Sequence, residues 1–139
     1  MSASPGDFNQ QIIDEFRARD GEVGGVFEGA PMLLLHHVGA KSGEARISPL
    51  VYLADDGRYV VFASKGGAPT NPSWYHNIKA QPDVTIEVGA ETIRARADEV
   101  TGAERDRLYG IQAAERPNFA EYEHKTSRVI PVIALTPVR

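Results

Sequence analysis

At 139 residues, with 42% apolar and 24% charged residues, the chain suits one folded domain and leaves no room for a separate cofactor domain. A formal charge of −4 argues against bulk attraction to nucleic acid, so an anionic ligand would need local cations. The absence of cysteine excludes thiolate catalysis, disulfides and cysteine-held metals. No basic segment followed by an apolar stretch opens the chain, and no run approaches the roughly 20 apolar residues of a membrane span. A cytoplasmic protein is expected.

Residues 7–19 space Phe8, Ile12 and Phe16 four apart, which predicts an amphipathic helix with Asp7 as N-cap. Packing on a barrel is the plain reading of that face. Peripheral membrane contact is the alternative, weakened by Asp14 and Glu15. Residues 1–29 are thus an N-terminal helix and connection, and 30–139 the main body. MLLLHHV (32–38), ARISPLVYL (45–53) and RYVVFAS (58–64) read as strands of an antiparallel meander joined by GAKSGE and ADDG. Pro49 marks an edge position or a bulge in the second.

Asn71-Pro72 reads as N-cap and first position of a short helix, PSWYHNIKA, ended by Gln81-Pro82. DVTIEVG and ETIRARADEV alternate with period two and form a hairpin at Gly89-Ala90. Thr101 to Glu104 fits a capping box, with Leu108, Ile111 and Ala114 on the inner face of the helix that follows. Pro117 stops that helix. A short segment, NFAEYEHKTS, precedes a last strand, RVIPVIAL, which closes or edges the sheet. The sum is an α+β, barrel-like domain of about six mainly antiparallel strands whose interior is filled by side chains, so a ligand sits on a rim or a subunit interface.

Two cationic turns carry the chemistry. GAKSGEAR offers Lys41, the Ser42 hydroxyl, a flexible Gly43 and Arg46. SKGG offers Ser64, Lys65 and two glycines, Gly66 and Gly67, able to turn N–H groups toward one anion. A helix N-terminus follows at Pro72. Taken singly, each turn is also an ordinary hairpin loop with a solvated lysine. Trp74 either anchors its short helix or touches a ligand ring. His36 and His37 point to opposite faces of a strand and cannot share a metal, and no metal site is found. With no G-x-S-x-G serine and no visible His–acid pair, nucleophilic hydrolysis has little support.

Taken together, G-x-K-S-G-x-x-R, S-P-L-x-Y-L and A-S-K-G-G-A-P-x-x-P-x-W-Y-x-N resemble the deazaflavin-dependent nitroreductase family of actinobacteria, from about residue 30 to residue 137. The resemblance implies a split β-barrel of the flavin-binding kind and the coenzyme F420, an 8-hydroxy-5-deazaflavin. It implies hydride transfer to an electron-poor small molecule such as a quinone or nitro-aromatic. It further implies that Ala40, Lys41, Ser42, Gly43 and Arg46 hold the phosphate and acidic tail. Ala63, Ser64, Lys65, Gly66, Gly67 and Ala68 would wrap the phosphate and ring edge, with Pro49, Asn71, Trp74, Tyr75 and Asn77 shaping the pocket. The cofactor carries the reactive carbon, so no nucleophile is required. Ser64 and Tyr122 are the catalytic candidates, one hydrogen-bonding the acceptor as charge develops, the other lining or protonating it.

Ala40 stands where the family commonly has arginine, and Val51, Arg116 and Phe119 stand where it has tyrosines. A tail contact is lost, although the Ala40 N–H could still serve, and acceptor specificity is expected to differ. Flavin mononucleotide, with its single phosphate, is the alternative cofactor, and a non-catalytic carrier is the alternative role. A homodimer is compatible with the fold.

Overall fold

The computed structural model describes residues 5–24 and 29–138. Its elements are helix α1 (Pro5–Ala18), strands β1 (Met32–Val38), β2 (Ala45–Asp55) and β3 (Arg58–Phe62), a 3-10 turn (Lys65–Gly67) and helix α2 (Ser73–Ala80). Strands β4 (Asp83–Val88) and β5 (Glu91–Val100), helices α3 (Gly102–Glu115) and α4 (Pro117–Lys125) and strand β6 (Val132–Pro137) complete the chain. The six strands close into an antiparallel barrel in the order β1-β2-β3-β6-β5-β4.

Alternation along each strand sends Leu33 and Leu35, Val84 and Ile86, Ala95 and Ala97, and Ile133 and Leu135 into one interior, where all are buried. Each large aliphatic chain there contributes about 1.5–3 kcal/mol. Helix α2 plugs this interior with Trp74 and Ile78. Two further clusters coat the outside. Ile12, Ile13 and Phe16 of α1 pack on Met32 and Leu34 beside Ile47 and Val51. Leu108, Tyr109 and Phe119 of α3 and α4 pack on Leu53, Val60, Phe62 and Val132. Ile12, Ile13 and Phe16 of α1 are therefore spent on the barrel, as the plain reading of that face expected. Among the described residues no helix is long and apolar enough to cross a membrane.

The pairing is uneven, and that unevenness makes the site. β1 and β2 pair from Met32↔Val51 to Val38↔Ala45, whereas β2 and β3 pair only from Tyr52↔Val61 to Asp55↔Arg58. Beyond Tyr52 the barrel splits along that seam. Tyr52 N–H reaches across to Pro31 O on the β1 side, and antiparallel alternation then points the amide position of residue 49 into the open seam. Pro49 has no N–H to lose there. Its register opposite Leu34 is unbroken, so it marks a locally unpaired edge and no bulge.

Several local expectations need correction. α1 begins at Pro5, so Asp7 lies inside its first turn and is not the cap; the side chains of Asp7 and Phe8 fall outside the described residues. The N-cap of α2 is Pro72, because the Asn71 side chain is taken by Arg128. Thr101 does cap α3 but makes no side-chain bond, and Glu104 is held instead by Arg107 at 2.7 Å and Arg58 at 3.4 Å. On α3 the inner face is Arg105, Leu108, Tyr109 and Gln112, with Ile111 half-buried against the same cluster as expected; Ala114 is exposed. Strand β3 ends at Phe62, and 117–125 is a helix whose first residue is Pro117, the position proline favours. The last strand starts at Val132, one residue after Pro131.

Candidate active site

A cavity of about 700 Å³ opens where β2 and β3 part. Pro49, Leu50 and Val51 form one wall, Phe62, Ser64 and Lys65 another, Pro72 and Trp74 of α2 the floor, and Arg116, Asn118, Phe119 and Tyr122 the far side. An edge-to-face series stiffens that far side: Phe62 to Phe119 at 5.6 Å and Phe119 to Tyr122 at 5.2 Å between ring centres. The Tyr109 hydroxyl donates to Phe119 O at 2.6 Å, tying α4 to α3, and burial pushes that phenol up to about 12. Tyr122 accepts a hydrogen bond from Asn118 Nδ2 at 2.9 Å, which leaves its own O–H proton for a ligand. Ser64 is 8% exposed, and its hydroxyl has no partner among the described residues.

The loop after β3 is held from beneath by one residue. Arg128 donates from Nε to Ala68 O (2.9 Å), from Nη1 to Ala63 O (3.1 Å) and Asn71 Oδ1 (2.8 Å), and from Nη2 to Ser64 O (2.8 Å). Burial lowers its pKa, yet a guanidinium stays charged. The glycine pair does not form the expected nest. Gly67 N–H closes on Ser64 O and Ala68 N–H on Lys65 O. Gly67, at φ 84°, is required because a Cβ would meet Lys125 Cβ at 2.9 Å and Tyr122 O at 3.0 Å. The left-handed residue that follows right-handed Ser64 is Lys65 itself, at φ 47°. A right-handed then left-handed pair turns successive N–H groups toward one side. For a lysine this backbone is strained, and strain of that kind collects at ligand sites.

A second cavity, about 560 Å³, lies on the other side of the first turn of α2. Ala40, Lys41, Ser42 and Arg46 line it from the β1–β2 turn, and Ser73, His76 and Asn77 from the helix. The turn closes on itself through Gly39 N–H to Glu44 O and Gly43 N–H to Gly39 O, both 2.9 Å, and Ser42 Oγ accepts from Glu44 N–H. It is pinned to α2 by Ala40 N–H donating to Asn77 Oδ1 at 2.9 Å, so that N–H is not available to a ligand as expected. Asn77 Nδ2 then donates to His37 Nδ1 (3.0 Å), which puts the imidazole proton on Nε2, facing Ser48 Oγ at 2.9 Å. Burial, helped by Arg46 and His36, pulls the His37 pKa down to about 4 and keeps it neutral.

The arrangement is an apolar, aromatic slot with two free hydroxyl donors, joined across a helix N-terminus to a turn bearing Lys41 and Arg46. That donor set suits a flat ring carrying an anionic chain. Comparison with known proteins gives the same answer. The family model described as F420H(2)-dependent quinone reductase matches residues 9–137. The chain belongs to this family. It is 42% identical over 125 residues to the F420H(2)-dependent quinone reductase Rv1261c of Mycobacterium tuberculosis, covering 87% of this chain and 84% of that one. A solved F420-H2 dependent reductase, FDR-A, superposes with a TM-score of 0.69 at 40% identity, covering 76% of this chain and 93% of that one. A solved chain described as a domain-swapped dimer gives 0.70 at 36% identity, covering 95% and 99%. More distant solved chains, 16% and 10% identical, share the fold alone. The split-barrel architecture, the F420 coenzyme and the oxidoreductase class read from the motifs are those of this family.

Within this F420H(2)-dependent reductase the expected site residues divide into groups. Pro49, Ser64, Lys65, Trp74 and Tyr122 meet at the first cavity, and Ala40, Lys41, Ser42, Arg46 and Asn77 at the second. Trp74 both anchors α2, at 6% exposure, and floors the slot. Ala63, Gly66, Gly67 and Ala68 shape the loop, Gly43 (φ 72°) shapes the turn, and Asn71 serves Arg128. Tyr75 faces away: its hydroxyl donates to Glu99 at 2.6 Å, and its pKa rises to about 12 through burial and that bond. Arg128 and Asn118 were not anticipated, because their partners lie 57 to 65 residues off for Arg128 and on an unforeseen helix for Asn118. The expectation of no His–acid pair is also corrected. His36 Nε2 sits 2.6 Å from Glu87, which Arg17 grips at 2.7 Å, so the pair fastens α1 to the barrel. Among the described residues no cluster of His, Asp or Glu is placed to hold a metal.

Proposed function

We propose that the two cavities hold one molecule of reduced coenzyme F420, its ring in the slot between β2 and β3 and its anionic chain across the start of α2 toward Lys41 and Arg46. When bound, the reduced deazaflavin supplies the hydride. The slot walls orient the ring and exclude water, and the Ser64 and Tyr122 hydroxyls donate to the oxygen of the acceptor as it gains negative charge. A quinone that takes up the hydride, two electrons with one proton, and one further proton leaves as the hydroquinone. The observation that carries this reading is the pair of cavities sharing one helix N-terminus, one walled by the aromatic rings of Phe62, Trp74, Phe119 and Tyr122, the other by the turn that bears Lys41 and Arg46.

Calorimetric titration of the coenzyme into wild type and into the Lys41→Ala, Lys65→Ala double variant tests the assignment. Binding is expected to vanish in the variant, and unchanged binding refutes the site. Flavin mononucleotide, whose one phosphate can engage only one cationic cluster, should compete poorly in the same cell. Coenzyme binding without reoxidation by any quinone or nitro-aromatic would indicate a carrier. The likeness to a domain-swapped dimer supports a homodimer, which light scattering would read as twice the chain mass. Fractionation of the native host checks the expected cytoplasmic location.

A further inference from the structure

Arg116 occupies a fixed point at the mouth of the slot. Its backbone joins α3 to α4: its N–H donates to Gln112 O at 2.8 Å, and its carbonyl accepts from Phe119 N–H at 3.0 Å. Its side chain reaches across to the segment before β1, where Nη2 donates to Gly29 O at 3.1 Å. The guanidinium therefore spans the mouth between the α3–α4 corner and Ala30. A guanidinium carries five N–H donors, and among the described residues a single carbonyl occupies one. No carboxylate is among the described residues lining this cavity, although the chain carries an excess of acids overall. Across the slot the Lys65 ammonium is tied to Thr70 Oγ1 at 3.3 Å.

We infer that Arg116 selects acceptors bearing an anionic substituent, a carboxylate or sulfonate on the quinone or nitro-aromatic ring. This rests on the reductase reading above, in which Lys41 and Arg46 take the anionic chain of the coenzyme and leave Arg116 on the acceptor side. The substituent takes no part in the transfer. It is held by the positive charge of the guanidinium at the mouth while the ring enters past Phe119 and Tyr122, and a charge-assisted pair there is strengthened by the apolar walls.

The test pairs 1,4-naphthoquinone with its 2-sulfonate, using reduced coenzyme and each quinone compared only with itself across variants, so that differences in potential cancel. The ratio of kcat/KM for sulfonate over neutral quinone should fall on the order of tenfold in Arg116→Gln, mainly through KM, and stay within about threefold of wild type in Arg116→Lys. Salt at about 0.5 M should shrink the wild-type preference. An unchanged ratio in Arg116→Gln overturns the inference, as does an equal loss in Arg116→Lys, which would point to the Gly29 tether instead of the charge. Calorimetry with the sulfonate on coenzyme-loaded protein separates the two failures. Arg116-dependent binding without turnover refutes the reductase reading and keeps the anion site; turnover of both quinones without Arg116-dependent discrimination does the reverse.

Discussion

The β1–β2 turn at 39–46 and the loop at 63–71 both set a lysine beside serine and glycine, and they are held in different ways. The turn is closed by its own backbone and fastened to α2 through one amide, Asn77. The loop makes two short bonds of its own and otherwise hangs on Arg128, a residue from the far side of α4. In both, most of the N–H groups and small hydroxyls that a sequence reading offers to a ligand are consumed by the fold. What remains for a ligand is the lysines, Arg46, the Ser64 and Tyr122 hydroxyls and the aromatic walls.

The sharpest way to break the contrast is Arg128→Met. It strands the Ala63 and Ala68 carbonyls and the Asn71 side chain in a half-buried setting and leaves Ser64 O only the Gly67 N–H, so urea denaturation should show a loss of about 3 kcal/mol, with coenzyme binding lost while the 39–46 turn stays intact. The turn is probed by pH. The His37 pKa falls from 6.5 unfolded to about 4 folded, so between those values the unfolded chain holds a proton that the folded chain refuses. Its contribution is complete above pH 6.5 and is lost as pH falls toward 4, up to about 3 kcal/mol. His37→Gln should flatten that part of the stability profile. Gly67→Ala should cost about 2 kcal/mol by forcing α4 away from the loop, seen as a lower melting temperature. The smallest effect on stability belongs to Lys41→Ala, below about 0.5 kcal/mol for an exposed side chain, with coenzyme affinity nonetheless reduced.

The strand pattern was legible because apolar runs, period-two alternation and turn residues report a barrel directly: β1 runs over its apolar run, β5 over the residues its alternation marks, and GAKSGE and ADDG make the turns. Motif order was enough to point at the family and at the residues lining both halves of the candidate site. What stayed hidden depends on distance in sequence. Arg128 reads as an ordinary basic residue before a strand, and Asn77 as a helix polar residue, until the barrel brings them to Ser64 and Ala40. The split between β2 and β3 left one trace, Pro49, whose missing N–H fits only where a partner strand has gone. Helix α4 was read as a connecting segment because Pro117 looks like a stop; in the structure it ends α3 and starts α4 at once. Asn118 and its bond to Tyr122 were lost with that helix.

The central claim is that a single ligand spans both cavities, ring in the slot and anionic chain at the turn. Calorimetry with coenzyme F420 and with its ring fragment, the deazaflavin lacking the phosphate and acidic tail, tests it on wild type and Lys41→Ala. The account predicts that Lys41→Ala weakens the whole coenzyme on the order of tenfold and leaves ring-fragment affinity where it was. Equal weakening of both ligands, or of neither, would contradict it.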